Sequence, residues 1–253
     1  MIAKLSRALW VLALTMGLAA CHTRPPAAVT PEQRAKIKTV ALAVALNDQW
    51  RWEDHNFLIF DKKTVTSTDW RLADRVRNLA RTALAKQYTL VPLPAGSERQ
   101  VAAMTATSEE VPKMIDIVSR MAFRPDAVVL ISPGFHHFGQ VRNGPPYISG
   151  LGIHHTTYLF QDYVLIYSVL DFDIIDGKTS TLMASFTSVI PSDKDGRVPF
   201  SFLTEPGGRK IVSDWTDRFE EQPESVRAAI RASFYEFIDA SVPFTLRKRG
   251  VLR

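Results

Sequence analysis

A mixed α/β fold is predicted for this chain: βα-βα-β first, then a long antiparallel hairpin, then a closing carboxyl-terminal helix, the α+β arrangement of a mixed sheet. Three observations predict it. Short apolar runs alternate with amphipathic stretches in the first half. Asp176-Gly177 separates two β-rich arms in the second half. An apolar stripe at three- and four-residue spacing follows Pro223.

The elements follow in order. Residues 37–46 (IKTVALAVAL) form an apolar run without acid or Pro, the pattern of a strand buried on both faces. Residues 57–60 read as a short extended piece. Thr68 or Asp69 then looks like a helix N-cap. Leu72, Val76, Leu79, Ala80, Ala83 and Leu84 make the apolar face of a helix reaching about Lys86. Residues 88–93 (YTLVPL) suit an edge strand, because Pro92 lies near its end. Residues 96–107 give no clear signal. Pro112 opens a second helix with Met114, Ile117, Val118 and Met121 on its apolar face. Residues 127–132 (AVVLIS) are the clearest buried strand.

Residues 134–157 carry five glycines and Pro145-Pro146, and read as a long loop or irregular hairpin. Residues 158–175 read as one long strand. Residues 180–190 return after the Asp-Gly turn, with arms of roughly 12 residues each. Residues 191–222 are turn-rich, with a short helix within 211–219. The last helix runs from near Pro223 to about Ser241 on Val226, Ile230, Phe234, Phe237 and Ile238, and Pro243 stops it. Residues 244–253 are left as a basic tail.

The amino terminus has its own logic. Lys4 and Arg7 precede a ten-residue apolar stretch, ALWVLALTMG. As a helix that is roughly 15 Å, too short to cross ~30 Å of hydrocarbon. Leu18-Ala19-Ala20-Cys21 follows, and small residues before a cut are what a signal peptidase needs. The segment resembles the signal and lipobox of bacterial lipoproteins. That resemblance implies removal of residues 1–20 and acyl chains, palmitate among them, on Cys21. Several chains at ~0.8 kcal/mol per CH₂ make a stable anchor. His22 replaces the Asp that retains such proteins at the inner membrane, which implies the outer membrane, facing the periplasm. Residues 21–36 read as the lipidated cysteine and an extended tether, about 40 Å long at ~3.1 Å per residue. Residues 37–253 are expected to form a single globular domain.

Composition bounds the function. The 253 residues are 46% hydrophobic and 23% charged, enough apolar content for a core. The formal charge is +5, and Lys4 and Arg7 account for two units of it. That excess is too small to argue for nucleic acid. Cys21 is the one cysteine, so no disulfide is expected within the domain.

The hairpin reads YSVLDFDIIDGKTSTLMASFTS. From Asp173 to Ser185, a strand ending in Asp turns through Gly and Thr into a small residue and Ser. Together with the element order over 38–241, it resembles the superfamily of the TolB amino-terminal domain, the curli-secretion lipoprotein and the outer-membrane activators of penicillin-binding proteins. The resemblance implies a non-enzymatic domain that binds partner proteins or assembles, and it supplies no catalytic residue. Two features depart from it. The tether is shorter than the linkers of wall-crossing activators. Asp171, Asp173 and Asp176 make the hairpin costly to insert in lipid.

Several residues could carry chemistry. His136-His137 and His154-His155 flank the Gly/Pro loop and are candidate ligands for Zn²⁺, Cu²⁺ or Ni²⁺. Adjacent strand residues face opposite ways, so at most one of each pair would share a face. Asp171 and Asp173, two apart, do share one. Trp50, Trp52 and Phe57 could form a partner surface or pack under a loop. No G-x-S-x-G, H-E-x-x-H or phosphate-binding Gly loop is present. The expectation is a lipid-anchored, non-enzymatic module without a cofactor, binding an envelope protein or a second copy of itself. The alternative is a lipoprotein that binds a metal or small ligand through the histidine loop, 134–162.

Overall fold

The computed structural model describes residues 26–56, 59–102, 104, 110–137, 147–158, 161–191, 197–202 and 219–253. The signal segment, Cys21, Phe57, the centre of the Gly/Pro loop and the short helix expected within 211–219, apart from Phe219, lie outside these residues.

The fold is mixed α/β, with two five-stranded sheets. In the first, β1 (Thr39–Val44) lies between parallel β4 (Thr89–Val91) and β5 (Ala127–Pro133). Antiparallel β10 (Leu170–Asp176) and β11 (Leu182–Thr187) extend it. Two helices, α2 (Leu72–Ala85) and α5 (Glu224–Lys248), contribute Leu72, Val76, Ile230 and Phe234 to the cluster on one face of this sheet. On the other face, α3 (Ser97–Ala102) and α4 (Glu110–Ser119) contribute Val101, Met114, Ile117 and Val118. Burial on both sides explains why β1 is apolar throughout. Its Ala41 and Ala43, with Ala45 just after it, belong to the cluster with α4, and Val40 and Val44 to the cluster with α2.

The second sheet was not read from the sequence. It holds β3 (Ile59–Ser67), β2 (Gln49–Asn56), β8 (Leu151–Tyr158), β9 (Gln161–Ser168) and β12 (Phe200–Phe202), in the order β12-β9-β8-β2-β3. A small ribbon of β6 (Phe135–His137) and β7 (Tyr147–Ser149) stands apart. Within 134–157, expected to be a long loop or an irregular hairpin, β6 and β7 pair antiparallel and 151–157 belong to β8.

The single long strand expected over 158–175 is two strands in two sheets. At Val169 the partners change: its N–H donates to Gly150 O at 2.7 Å and its carbonyl accepts from Gly134 N–H at 2.9 Å. Apolar residues run straight through the crossing, so no break is visible in the sequence. The hairpin arms are consequently seven and six residues, and the turn is longer than two. Asp176 Oδ1 accepts from the Lys178 and Thr179 amides at 2.8 Å each, and Asp176 N–H donates to Thr181 O. Gly177 is needed because a Cβ there would stand 2.1 Å from Pro125 O.

Three further expectations are corrected. Neither Thr68 nor Asp69 caps α2. Arg71 occupies the cap with φ 53°, and Asp48 Oδ1 accepts from Ala73 N–H at 3.1 Å. Pro243 does not stop α5, which runs on to Lys248. A helical proline costs about 3 kcal/mol. Burial of Val242 and Leu246 offsets that cost, as do two hydrogen bonds between the Thr245 hydroxyl and the Val189 backbone, 2.9 and 3.1 Å. Residues 244–253 are thus no solvated tail; Val251 and Leu252 are buried.

The tether is also shorter than expected. Ser185 N–H donates to Pro26 O at 3.0 Å, and Val29, buried, donates to Arg249 O at 2.9 Å. Thr30 and Gln33 then form a capping box that opens α1 (Pro31–Lys36). The two ends of the domain clasp each other.

Two substitutions test these contacts. Gly152 faces Tyr167 across β8 and β9, and a Cβ there would stand 2.2 Å from the Tyr167 hydroxyl. Gly152→Ala should lower stability in urea by about 1–3 kcal/mol. Asp126 Oδ2 accepts from the Lys38 and Thr39 amides at 2.9 and 3.0 Å, and its Oδ1 takes the Lys178 ammonium at 2.6 Å. Asp126→Asn should cost about 2 kcal/mol at pH 7, the scale of hydrogen bonds to a charged group.

Candidate functional site

The first candidate is an open groove of about 1240 Å³ between α2 and α5. It arises from two stripes at helical spacing. On α5 these are Tyr235, Asp239, Pro243 and Arg247; on and beside α2 they are Arg71, Arg75, Asn78, Thr82 and Lys86. Leu79, Ala83 and Leu252 add apolar lining. One bridge ties the two walls. Arg75 Nε donates to Asp239 Oδ1 at 2.6 Å, and a second Arg75 nitrogen donates to Oδ2. The guanidinium also lies 4.2 Å from the centre of the Tyr235 ring, whose hydroxyl donates to Trp70 O at 2.9 Å. The Asp239 pairing raises the Arg75 pKa above its ordinary value. Asp74 is committed to Arg71 and Arg77, with Arg71 chiefly responsible for holding its carboxyl below the usual range.

These groups are polar and paired. An elongated groove with apolar patches and a charged rim suits a peptide or helix of another protein. It does not assemble a nucleophile beside a base. Sequence reasoning missed it because it depends on α5 continuing past Pro243, although the spacing of 235, 239, 243 and 247 is legible.

The carboxylates Asp171 and Asp173 share a face, as expected, but lie largely buried in β10 rather than at a turn. Asp171 Oδ1 accepts from the Thr187 hydroxyl at 2.7 Å. Burial pushes Asp171 up to about 6; the Thr187 hydroxyl opposes the shift and the Asp173 charge adds to it. Burial raises Asp173 too, against the Ser185 hydroxyl.

The histidines do not converge. His154 and His155 are adjacent on β8 and therefore face opposite ways. His154 Nδ1 stands 3.7 Å from Glu53 Oε2, both side chains being buried. His136 and His137 lie on the separate ribbon, opposite Ile148 and Tyr147, and burial lowers the His136 pKa. Among the described residues no three His, Cys, Asp or Glu side chains come together to hold a metal ion. Tyr167, on β9, is buried, and burial raises its pKa, helped by the Glu53 charge. Trp50 and Trp52 are not a partner surface, for each is only 1% exposed. Trp50 stacks on Trp70 at 5.8 Å and meets Phe219 edge-on at 4.8 Å.

The raised Asp171 pKa has a consequence for stability. The folded state holds this proton more tightly than the unfolded chain, so stability falls as pH rises from about 4 through 6. At ~1.4 kcal/mol per unit the loss is at most about 3 kcal/mol. Asp171→Asn should raise the melting temperature at pH 7.5, and should give little gain at pH 4.

No protein-family model matches the chain, and no curated protein matches it at a significant level. Similarities to solved structures are remote. A PelC dodecamer from Paraburkholderia phytofirmans is 11% identical, over 90% of this chain and 96% of that one, with a TM-score of 0.33. A protein from Xanthomonas campestris is 10% identical over 85% of each chain, with a TM-score of 0.34. A lipoprotein from Neisseria meningitidis is 7% identical, over 59% of this chain and 79% of that one, with a TM-score of 0.27. All three TM-scores lie below 0.5, so these likenesses carry no functional argument.

Proposed function

We propose that this chain is an outer-membrane lipoprotein, acylated on Cys21 and facing the periplasm, that acts without catalysis by binding an envelope protein in the groove between α2 and α5. The groove carries the reading. It is large and open, it joins apolar lining to a charged rim, and its Arg71, Asp74, Arg75 and Asp239 are engaged in ion pairs rather than poised for proton transfer. The Leu-Ala-Ala-Cys segment supports the anchor. No helix among the described residues is long and apolar enough to cross a membrane.

A photo-crosslinking side chain placed at Asn78 or Thr82 tests the groove in intact envelopes. Both positions line it and both are exposed. One discrete adduct is expected from each, lost when Thr82→Trp fills the groove in the Asn78-labelled protein. Adducts only from Val65, exposed on the β3 edge, would move the binding surface to the second sheet. An adduct of twice the chain's mass would identify a second copy as the partner.

A further inference from the structure

One end of the domain is built from the starts of β1, β4 and β5, the β10–β11 turn and the last turn of α5. The hydrogen bonds that hold these pieces together fix them at a common end. Lys38 N–H and the Lys178 ammonium both reach Asp126. Thr89 N–H donates to Lys38 O at 2.9 Å, Arg124 donates to Lys178 O at 3.3 Å, and Arg253 N–H donates to Gln87 Oε1 at 2.9 Å. The Arg34 guanidinium donates to Gly250 O at 3.2 Å and to Leu252 O at 3.3 Å.

Three properties meet there. The first is charge: Lys36, Lys38, Lys86, Arg124, Lys178 and Lys248 are all exposed at this end. Acids nearby include Glu32, Asp116, Asp126 and Asp176; Asp116 is paired with Arg120, and Asp126 is occupied by Lys178 and two backbone amides. The second is Phe123, a large apolar side chain 60% exposed, immediately before Arg124. An exposed aromatic ring beside cations is the composition found at the headgroup level of bilayers. The third is reach. Pro26 is bonded to β11 through Ser185, and Cys21 lies only five residues earlier. At about 3.3 Å per residue the anchor stands no more than roughly 16 Å from that bond.

We infer that this end of the domain lies against the anionic headgroups of the membrane that holds Cys21, with Phe123 set among them. The inference rests on the anchor proposed above. Each cation near an anionic leaflet strengthens attachment roughly fivefold, so several acting together hold the body upright where a short tether alone would not. The orientation follows: α2 and α5 end at the bilayer, and the Trp70 end of the groove points away from it.

The test uses the mature chain with Cys21→Ser, which has no acyl chain and no other cysteine. It is sedimented with vesicles of phosphatidylethanolamine and phosphatidylglycerol in a 3:1 ratio, and with phosphatidylcholine vesicles. Sedimentation is expected with the first alone. Lys36→Glu, Lys86→Glu and Lys248→Glu combined should weaken it at least tenfold with an unchanged melting temperature. Arg227→Glu with Arg231→Glu, in the first turns of α5, should leave it as it was. Phe123→Cys or Arg231→Cys in the same background gives a unique site for an environment-sensitive fluorophore, and only the dye at 123 should brighten on the anionic vesicles. Equal sedimentation by the two charge variants, equal brightening at both positions, or no sedimentation at all would overturn the orientation. The anchor stands or falls separately, on the mass of the Cys21 peptide from the wild-type protein expressed with its signal.

Discussion

Burial of Trp50 and Trp52 is the constraint from which the rest of the architecture follows. Two indoles on one face of β2 need a large apolar space, and Trp70, Phe219 and Phe234 close around them. Trp70 leads into α2, Phe219 leads into α5, and Phe234 lies within α5. The second sheet is thereby packed against the same helices that cover the first, and a single apolar cluster contains residues of both sheets. A shared core requires the chain to pass from one sheet to the other. Between β9 and β10 it does so within one residue, Val169, between Ser168 and Leu170. The backbone groups freed by the crossing are taken up by Gly134, Gly150, Pro199 and Ser188.

The first sheet was legible in the sequence because its signals are local. Its central strands are buried on both faces and read as unbroken apolar runs, and α2 and α4 carry regular stripes. The second sheet was not legible, for reasons that can be named. β2 alternates Trp50 and Trp52 with Arg51 and Glu53, and the aromatic pair reads equally well as a surface patch. β8 contains Gly152 and the His154-His155 pair, which resemble loop chemistry until Tyr167 is seen to fill the space over the glycine. β9 and β10 form one continuous apolar stretch whose division depends on partners far away in the chain. Pro243 misled for a similar reason: propensity is a local quantity, and the burial of Leu246 and the Thr245–Val189 bonds that outweigh it are not. Part of the groove inherits that blindness, since Arg247 and Leu252 of its lining lie beyond the proline. The paired faces of Asp171 and Asp173, in contrast, follow from strand period alone, and only their depth was hidden.

Segments 26–36 and 249–253 act on each other across the whole length of the chain. Val29 bonds Arg249, Arg34 reaches the carbonyls of Gly250 and Leu252, and Tyr88 donates its hydroxyl to Val251 O. Burial raises the Tyr88 pKa, so the hydroxyl stays protonated and able to donate throughout the physiological range. The clasp satisfies carbonyls of residues 249–252, just past the end of α5. It also joins the amino-terminal segment to the edge of one sheet through Ser185 and to the longest helix through Arg249.

That connection bears on what a membrane anchor can do to the folded body. A long disordered linker would decouple them, leaving the groove free to face in any direction. Here Pro26 is bonded to a strand edge and, three residues on, Val29 is bonded to a helix terminus, so under the proposed acylation of Cys21 the anchor's position would limit the body's position directly. A groove used as proposed would gain from such a limit: part of the orientational freedom that a partner would have to remove on docking would already be lost. The clasp therefore does more than tidy the chain ends. Through α5 it links the amino-terminal segment to one wall of the groove, and the Arg75–Asp239 bridge ties that wall to the other.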